Sequence, residues 1–175
     1  SDMLNAPGFN KFNCTGSAKD YFLTSSNGIY QPSFDVYGPV NLPNNCEYYG
    51  GNTGGGPGGG NDKNPGQMVV DACRLLDDQI DFTKYDTNQD GVVDNVYILY
   101  AGYGENEGAP ASTIWPHSYN LAYTLPTLPE HDGVKIDRYA CSNELTYNQY
   151  EEGVPTMAGI GTFCHEFSHV LGLPD

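Results

Sequence analysis

The chain has 175 residues, enough for about one domain and for burying roughly two-thirds of the surface its unfolded form exposes. Seven Lys plus Arg against 22 Asp plus Glu leave a formal charge of −15, which repels phosphate backbones and anionic membranes and argues against a nucleic-acid partner. No apolar run approaches the ~20 residues of a membrane span, and no charged n-region with an apolar h-region opens the chain, so the sequence predicts a cytosolic protein or one whose signal has been removed.

Residues 1–49 alternate short aromatic stretches with turn formers. YFLT and IYQPSFDVYG, on either side of Ser25-Ser26-Asn27-Gly28, are predicted strands or strand-like pieces joined by a turn. Asn13-Cys14-Thr15 fits a glycosylation sequon, a weak three-residue pattern. GGNTGGGPGGGND, residues 50–62, has almost no side chains to pack and is predicted to be a flexible surface loop. No helix with GK[ST] follows it, which speaks against a phosphate cradle.

PGQMVVDACRLLDDQI, residues 65–80, places Met68, Val69, Ala72, Cys73, Leu76 and Ile80 at helical spacing, with Pro65 suited to the first turn. VYILYAG is short, β-branched and aromatic, as a buried strand requires. Helix, loop and central strand together predict an α/β (α+β) layer. Residues 105–134 read as loop-rich around TIWPHSY, where Trp115 is an expected core anchor and His117 an ordinary hydrogen-bonded side chain, as is His131 further on. KIDRYAC, residues 135–141, alternates and is predicted to be a strand with one wet face at a sheet edge. Glu144, in the SNEL stretch that follows, is a weaker candidate for lining a cleft. The five cysteines, at 14, 46, 73, 141 and 164, form no CxxC pair, so a zinc knuckle is not expected and one or two disulfides are possible. Cys164 is expected to be a small buried residue on a helix.

Between helix and strand, Asp86, Asn88, Asp90 and Asp94 put oxygen side chains at loop positions 1, 3, 5 and 9, with Gly91 at 6 and the Val92 carbonyl at 7. That is most of an EF-hand calcium loop. Tyr97 stands where the bidentate glutamate belongs, so altered calcium coordination is expected, against the alternative of a polar turn.

The chain closes on GTFCHEFSHVLGLPD. His165 and His169, four apart, stack on one helix face with imidazoles close enough to share a cation. Glu166 projects beside them, able to draw a proton from a water made acidic by Zn²⁺ without itself being a ligand. Gly172 suits a left-handed helix end and Pro174 forbids continuation. Asp175 then falls where a reversed chain returns its carboxylate, which completes a His, His, Asp ligand set in HExxHxxGxxD.

HEFSHVLGLPD resembles the M6 family of zinc metallopeptidases, the immune inhibitor A-like group of the metzincin clan. The order of MVVDACRLLDDQIDFTKYD, DTNQDGVVDNVYILYAGYG and IWPHS is similar too, over roughly residues 65–175. The resemblance implies a metzincin-like fold with a mixed twisted sheet, a backing helix and an active-site helix. It implies a secreted zinc endopeptidase acting on protein or peptide substrates, with His165, His169 and Asp175 as ligands and Glu166 as general base. It implies a substrate lying along an edge strand before that helix, here near residues 135–141, and a methionine turn beneath the metal. None of the three methionines, at 3, 68 and 157, follows Asp175, so the expectation is one catalytic domain over 1–175 that is the N-terminal part of a longer one, with apolar surface exposed near the helix. The alternative function is a calcium-dependent binding or adhesion module with a catalytically silent metal site.

Overall fold

The computed structural model describes residues 1–54, 61–146 and 156–174. In chain order the elements are helices α1 (Asp2–Asn5), α2 (Ala18–Ser25), α3 (Cys46–Tyr49) and α4 (Pro65–Leu76), and strands β1 (Val96–Tyr103), β2 (His117–Asn120), β3 (Glu130–His131), β4 (Val134–Lys135), β5 (Arg138–Thr146) and β6 (Thr156–Met157). Helix α5 (Ile160–Val170) follows β6. The architecture is mixed α/β, as expected.

β5 is the centre of the sheet. It runs parallel to β1, with Val96 opposite Tyr139 and Ile98 opposite Cys141, and antiparallel to β2, with His117 opposite Cys141 and Tyr119 opposite Tyr139. Strand alternation then divides the core between two faces. Ala140 and Tyr97 meet Phe163 and Phe167 of α5 and Phe22 of α2 on one face. On the other, Tyr139 and Ile136 pack with Val69 and Cys73 of α4, and Cys141 and Tyr100 with Met68. Aromatic edges hold the α5 side, with the Phe34 ring 5.2 Å from both Phe163 and Phe167. Pro65 opens α4 at its first turn, and the apolar run VYILYAG is a strand, Val96–Tyr103, but neither the central nor the buried one expected: it ends the order β1-β5-β2 among the described residues, and Tyr100 alone in it is buried.

Several expectations are corrected. YFLT lies inside helix α2, because the Ser17 hydroxyl accepts the Asp20 N–H at 3.2 Å while the Asp20 carboxylate accepts the Ser17 N–H at 2.9 Å. This reciprocal cap satisfies two donors that a strand would have left to a partner. The expected turn does follow, with Asn27 and Gly28 at φ 55° and 82°, but residues 30–44 form no strand. KIDRYAC is no edge: its first residue belongs to the β3–β4 hairpin, and Tyr139 to Asn143 are all buried in the central strand. The edge on that side is β2, whose outer side carries no strand among the described residues. Trp115 is half exposed and not a core anchor. The stem of the glycine-rich loop is packed, with Gly50, Gly51 and Asn52 buried; residues 55–60 of that loop lie outside the described residues. All five cysteines are free thiols, with Cys164 buried on α5 as expected. No helix among the described residues is long and apolar enough to cross a membrane.

Candidate active site

Helix α5 presents two faces. Phe163 and Phe167, four apart, stack with centroids 5.9 Å apart against the core, and His165 and His169 stand off that face with ring centroids 4.7 Å apart. The helix ends as a Schellman motif. Leu173 N–H donates to the Ser168 carbonyl at 3.1 Å, Gly172 N–H to the His169 carbonyl at 2.9 Å, and Gly172 has φ 88°. From β5, Arg138 donates to the Val170 carbonyl at 2.9 Å, placing a cation at the negative end of the helix dipole. The sequence reading missed this brace.

The reversal does something specific to His169. It carries the Leu173 carbonyl back to 2.8 Å from His169 Nδ1, and a carbonyl only accepts, so Nδ1 holds the proton. Nε2 is therefore the lone-pair nitrogen, the tautomer that a metal ligand needs. His169 Nε2 lies 3.2 Å from His165 Nε2. Two nitrogens each about 2.0–2.1 Å from a tetrahedral ion sit about 3.3–3.4 Å apart, so the pair fits zinc as it stands. Glu166 joins them: its carboxylate and the two imidazoles have ligand atoms within 4.8 Å of one another, and they are the one such group of three metal-binding side chains among the described residues. Glu166 is buried, at 6% exposure. Asp175, the predicted third ligand, lies outside the described residues.

The acidic loop is a closed turn stitched to its own backbone. Asp86 accepts the Asp90 and Gly91 N–H groups at 3.0 and 2.9 Å, Asn88 accepts the Asp90 N–H at 3.1 Å, and Asp90 accepts the Val92 N–H at 2.9 Å. Asp94 accepts the Thr87 hydroxyl. The end of the loop is bonded to Lys135 of the hairpin: Val93 N–H donates to the Lys135 carbonyl at 2.8 Å, and Lys135 N–H donates to the Gly91 carbonyl at 2.9 Å. Asp86, Asp90 and Asp94 do not gather as a metal-binding group of three.

His117 and His131 are hydrogen-bonded side chains, as expected. His131 Nδ1 lies 2.7 Å from Asp77, and both His117 nitrogens are engaged, with Trp115 and Tyr139. Glu144 and Phe163 help to line a cavity of about 220 Å³ beside the start of α5, on the sheet face that carries the histidines' helix.

A mixed sheet carrying a helix with paired histidines and a buried glutamate is the arrangement of a metallopeptidase catalytic domain. The chain belongs to the immune inhibitor A peptidase M6 family, whose catalytic-domain model matches residues 2–175. This extends the likeness well beyond the C-terminal two-thirds on which the sequence motifs lie. It is 29% identical over 179 residues to the pre-pro-metalloprotease PrtV of Vibrio cholerae serotype O1, covering 91% of this chain and 18% of that protein. It is 28% identical over 174 residues to immune inhibitor A of Bacillus thuringiensis subsp. alesti, covering 90% of this chain and 25% of that one. The chain thus spans a quarter or less of these relatives' length.

Proposed function

We propose that this chain is the catalytic portion of a secreted zinc endopeptidase, with His165, His169 and Asp175 as metal ligands and Glu166 as general base. The observation that carries the reading is the His165–His169 pair, 3.2 Å apart at Nε2, with the His169 tautomer set by Leu173. Family membership supports the peptidase class. Secretion is supported by the printed name of the Vibrio relative, a pre-pro-metalloprotease.

Zinc bound there would polarise the scissile carbonyl and lower the pKa of a coordinated water. The residues supply the rest. His165 and His169 offer neutral nitrogen donors from a rigid helix. Glu166, one residue after the first ligand, accepts a proton on a carboxylate oxygen and then delivers it to the departing amine nitrogen. Glu166 is buried, at 6% exposure, which limits the access of bulk water to that proton. The substrate is a protein or peptide, entering beside α5 where the outer side of β2 carries no strand among the described residues.

Calcium at Asp86, Asn88, Asp90, Val92 and Asp94 is proposed on their spacing alone; an ion there would have to draw the carboxylates together. For the main reading, dialysed protein reloaded with zinc is assayed for casein or gelatin digestion. Digestion restored by zinc and abolished by chelation is expected, and a chain that holds zinc without cleaving protein in any form would overturn the reading.

A further inference from the structure

Strand β2 lies beside α5 and β5, and its outer edge is open among the described residues. An open edge is a ready template for an extended chain, provided its backbone is held still. What holds this one is unusual. The Ile114 carbonyl points inward, accepting the Glu105 N–H at 3.1 Å and the Tyr100 hydroxyl at 2.7 Å. A trans peptide turns the next N–H the opposite way, so Trp115 N–H points outward. It meets the Asp62 carboxylate at 3.1 Å, whose side chain is only 4% exposed.

The Trp115 carbonyl is also taken. His117 Nδ1 lies 2.6 Å from it and so carries the proton, which leaves Nε2 to accept the Tyr139 hydroxyl at 2.8 Å. Tyr139 is fully buried in the central strand. Both backbone groups of Trp115 are therefore fixed by side chains, and through Tyr139 they are referred to the middle of the sheet. Asp62 is itself held, because the two residues after it donate backward: Lys63 N–H to the Gly50 carbonyl at 2.8 Å and Asn64 N–H to the Tyr49 carbonyl at 2.9 Å. A side chain at Gly50 would collide with the Thr113 carbonyl, so the two segments touch backbone to backbone just before the strand begins.

We infer that Asp62, His117 and Tyr139 are positioning residues for the peptide substrate: they fix the start of the open edge strand β2, so that an extended peptide meets a preformed ladder. This rests on the peptidase reading above. None of the three touches the reacting atoms. Their effect is on how the substrate is received. Asp62 also marks where the edge closes, since the outward N–H at Trp115 is already spent and Pro116 has none to offer. Pairing is thereby confined to residues from His117 onward.

The test compares Asp62→Ala, Asp62→Asn and Tyr139→Phe in two measurements. Amide hydrogen exchange at Trp115 reads the clamp without any activity. Cleavage of an extended fluorogenic peptide reads KM and kcat. Asp62→Ala should speed Trp115 exchange at least about tenfold and raise KM about threefold to tenfold, the scale of one net hydrogen bond, with kcat within about twofold of wild type. Asp62→Asn should restore both, because its amide oxygen still accepts the Trp115 N–H. Tyr139→Phe should raise KM in the same direction. Unchanged Trp115 exchange in Asp62→Ala, or a loss in kcat with KM constant, would overturn the inference. A wild-type chain that cleaves no peptide would instead overturn the peptidase reading, and the exchange result would still decide whether the clamp exists.

Discussion

His169 Nδ1 sits 2.8 Å from the carbonyl oxygen of Leu173, a residue that lies past the end of the helix bearing the histidine. The helix stop and the histidine's tautomer are thus one device: the reversal at Gly172 brings round the Leu173 carbonyl, the acceptor that fixes the proton. Gly172 has φ 88° with nothing within 4 Å of where a Cβ would stand. Gly172→Ala should therefore cost about 1 kcal/mol of stability from backbone strain alone, without a clash. Zinc affinity should fall with it as the Leu173 carbonyl shifts. Chemical denaturation and a zinc competition titration measure the two together, and unchanged affinity would separate the turn from the ligand.

Phe167 bridges helices. Its ring lies 5.4 Å from Phe22 of α2 and 5.2 Å from Phe34, and it backs the turn that carries both histidines. Phe167→Ala should destabilise the chain by about 3–5 kcal/mol, read as a lowered denaturation midpoint.

Burial pushes the Asp62 carboxyl up to about 7, with the Trp115 N–H pulling it back and the Glu105 charge adding to the rise. Its ordinary value is 3.8, so between those limits the folded chain holds a proton that the unfolded chain has released. The stability it contributes is present below pH about 4 and falls as pH rises to about 7. His117, facing it and pushed down by burial, works in the opposite sense, so the comparison must be between Asp62→Asn and wild type. The variant's melting temperature relative to wild type should climb from about pH 5 to about pH 8; a constant difference would show that Asp62 does not titrate there.

Calcium should raise the melting temperature by binding the folded state selectively at the Asp86–Asp94 loop, and Asp90→Ala should remove the effect. Superimposable melts in chelator and in excess calcium would leave the loop as a polar turn only.

How far the sequence spoke depended on the kind of signal. Helix α4 announced itself because its apolar residues recur at a helical period, and strand β1 because its residues are β-branched and aromatic; where β1 lies in the sheet depends on its partners and was not legible. The histidines and the Gly172 reversal were legible for the same reason: i, i+4 spacing and a left-handed stop are local facts. Helix α2 was hidden because its aromatic run looks strand-like, although Ser17 and Asp20 held the capping signal three residues apart. The position of β5 was misjudged because alternation in KIDRYAC mixes two elements, and centrality depends on which strands come to flank it. Asp62, Arg138 and Tyr139 act across the sheet, by hydrogen bonds to backbone or side-chain groups distant in sequence, and no spacing rule points to them.

Glu166 is the most direct point of test: its carboxylate lies with the paired imidazoles, yet the proposed chemistry gives it the proton and not the metal. Glu166→Gln and wild type should be compared for zinc content and for peptide cleavage on the same preparations. Equal zinc with a rate lowered by about 10²-fold to 10⁴-fold is the predicted result. Cleavage retained at near wild-type rate, or zinc lost along with the carboxylate, would contradict it.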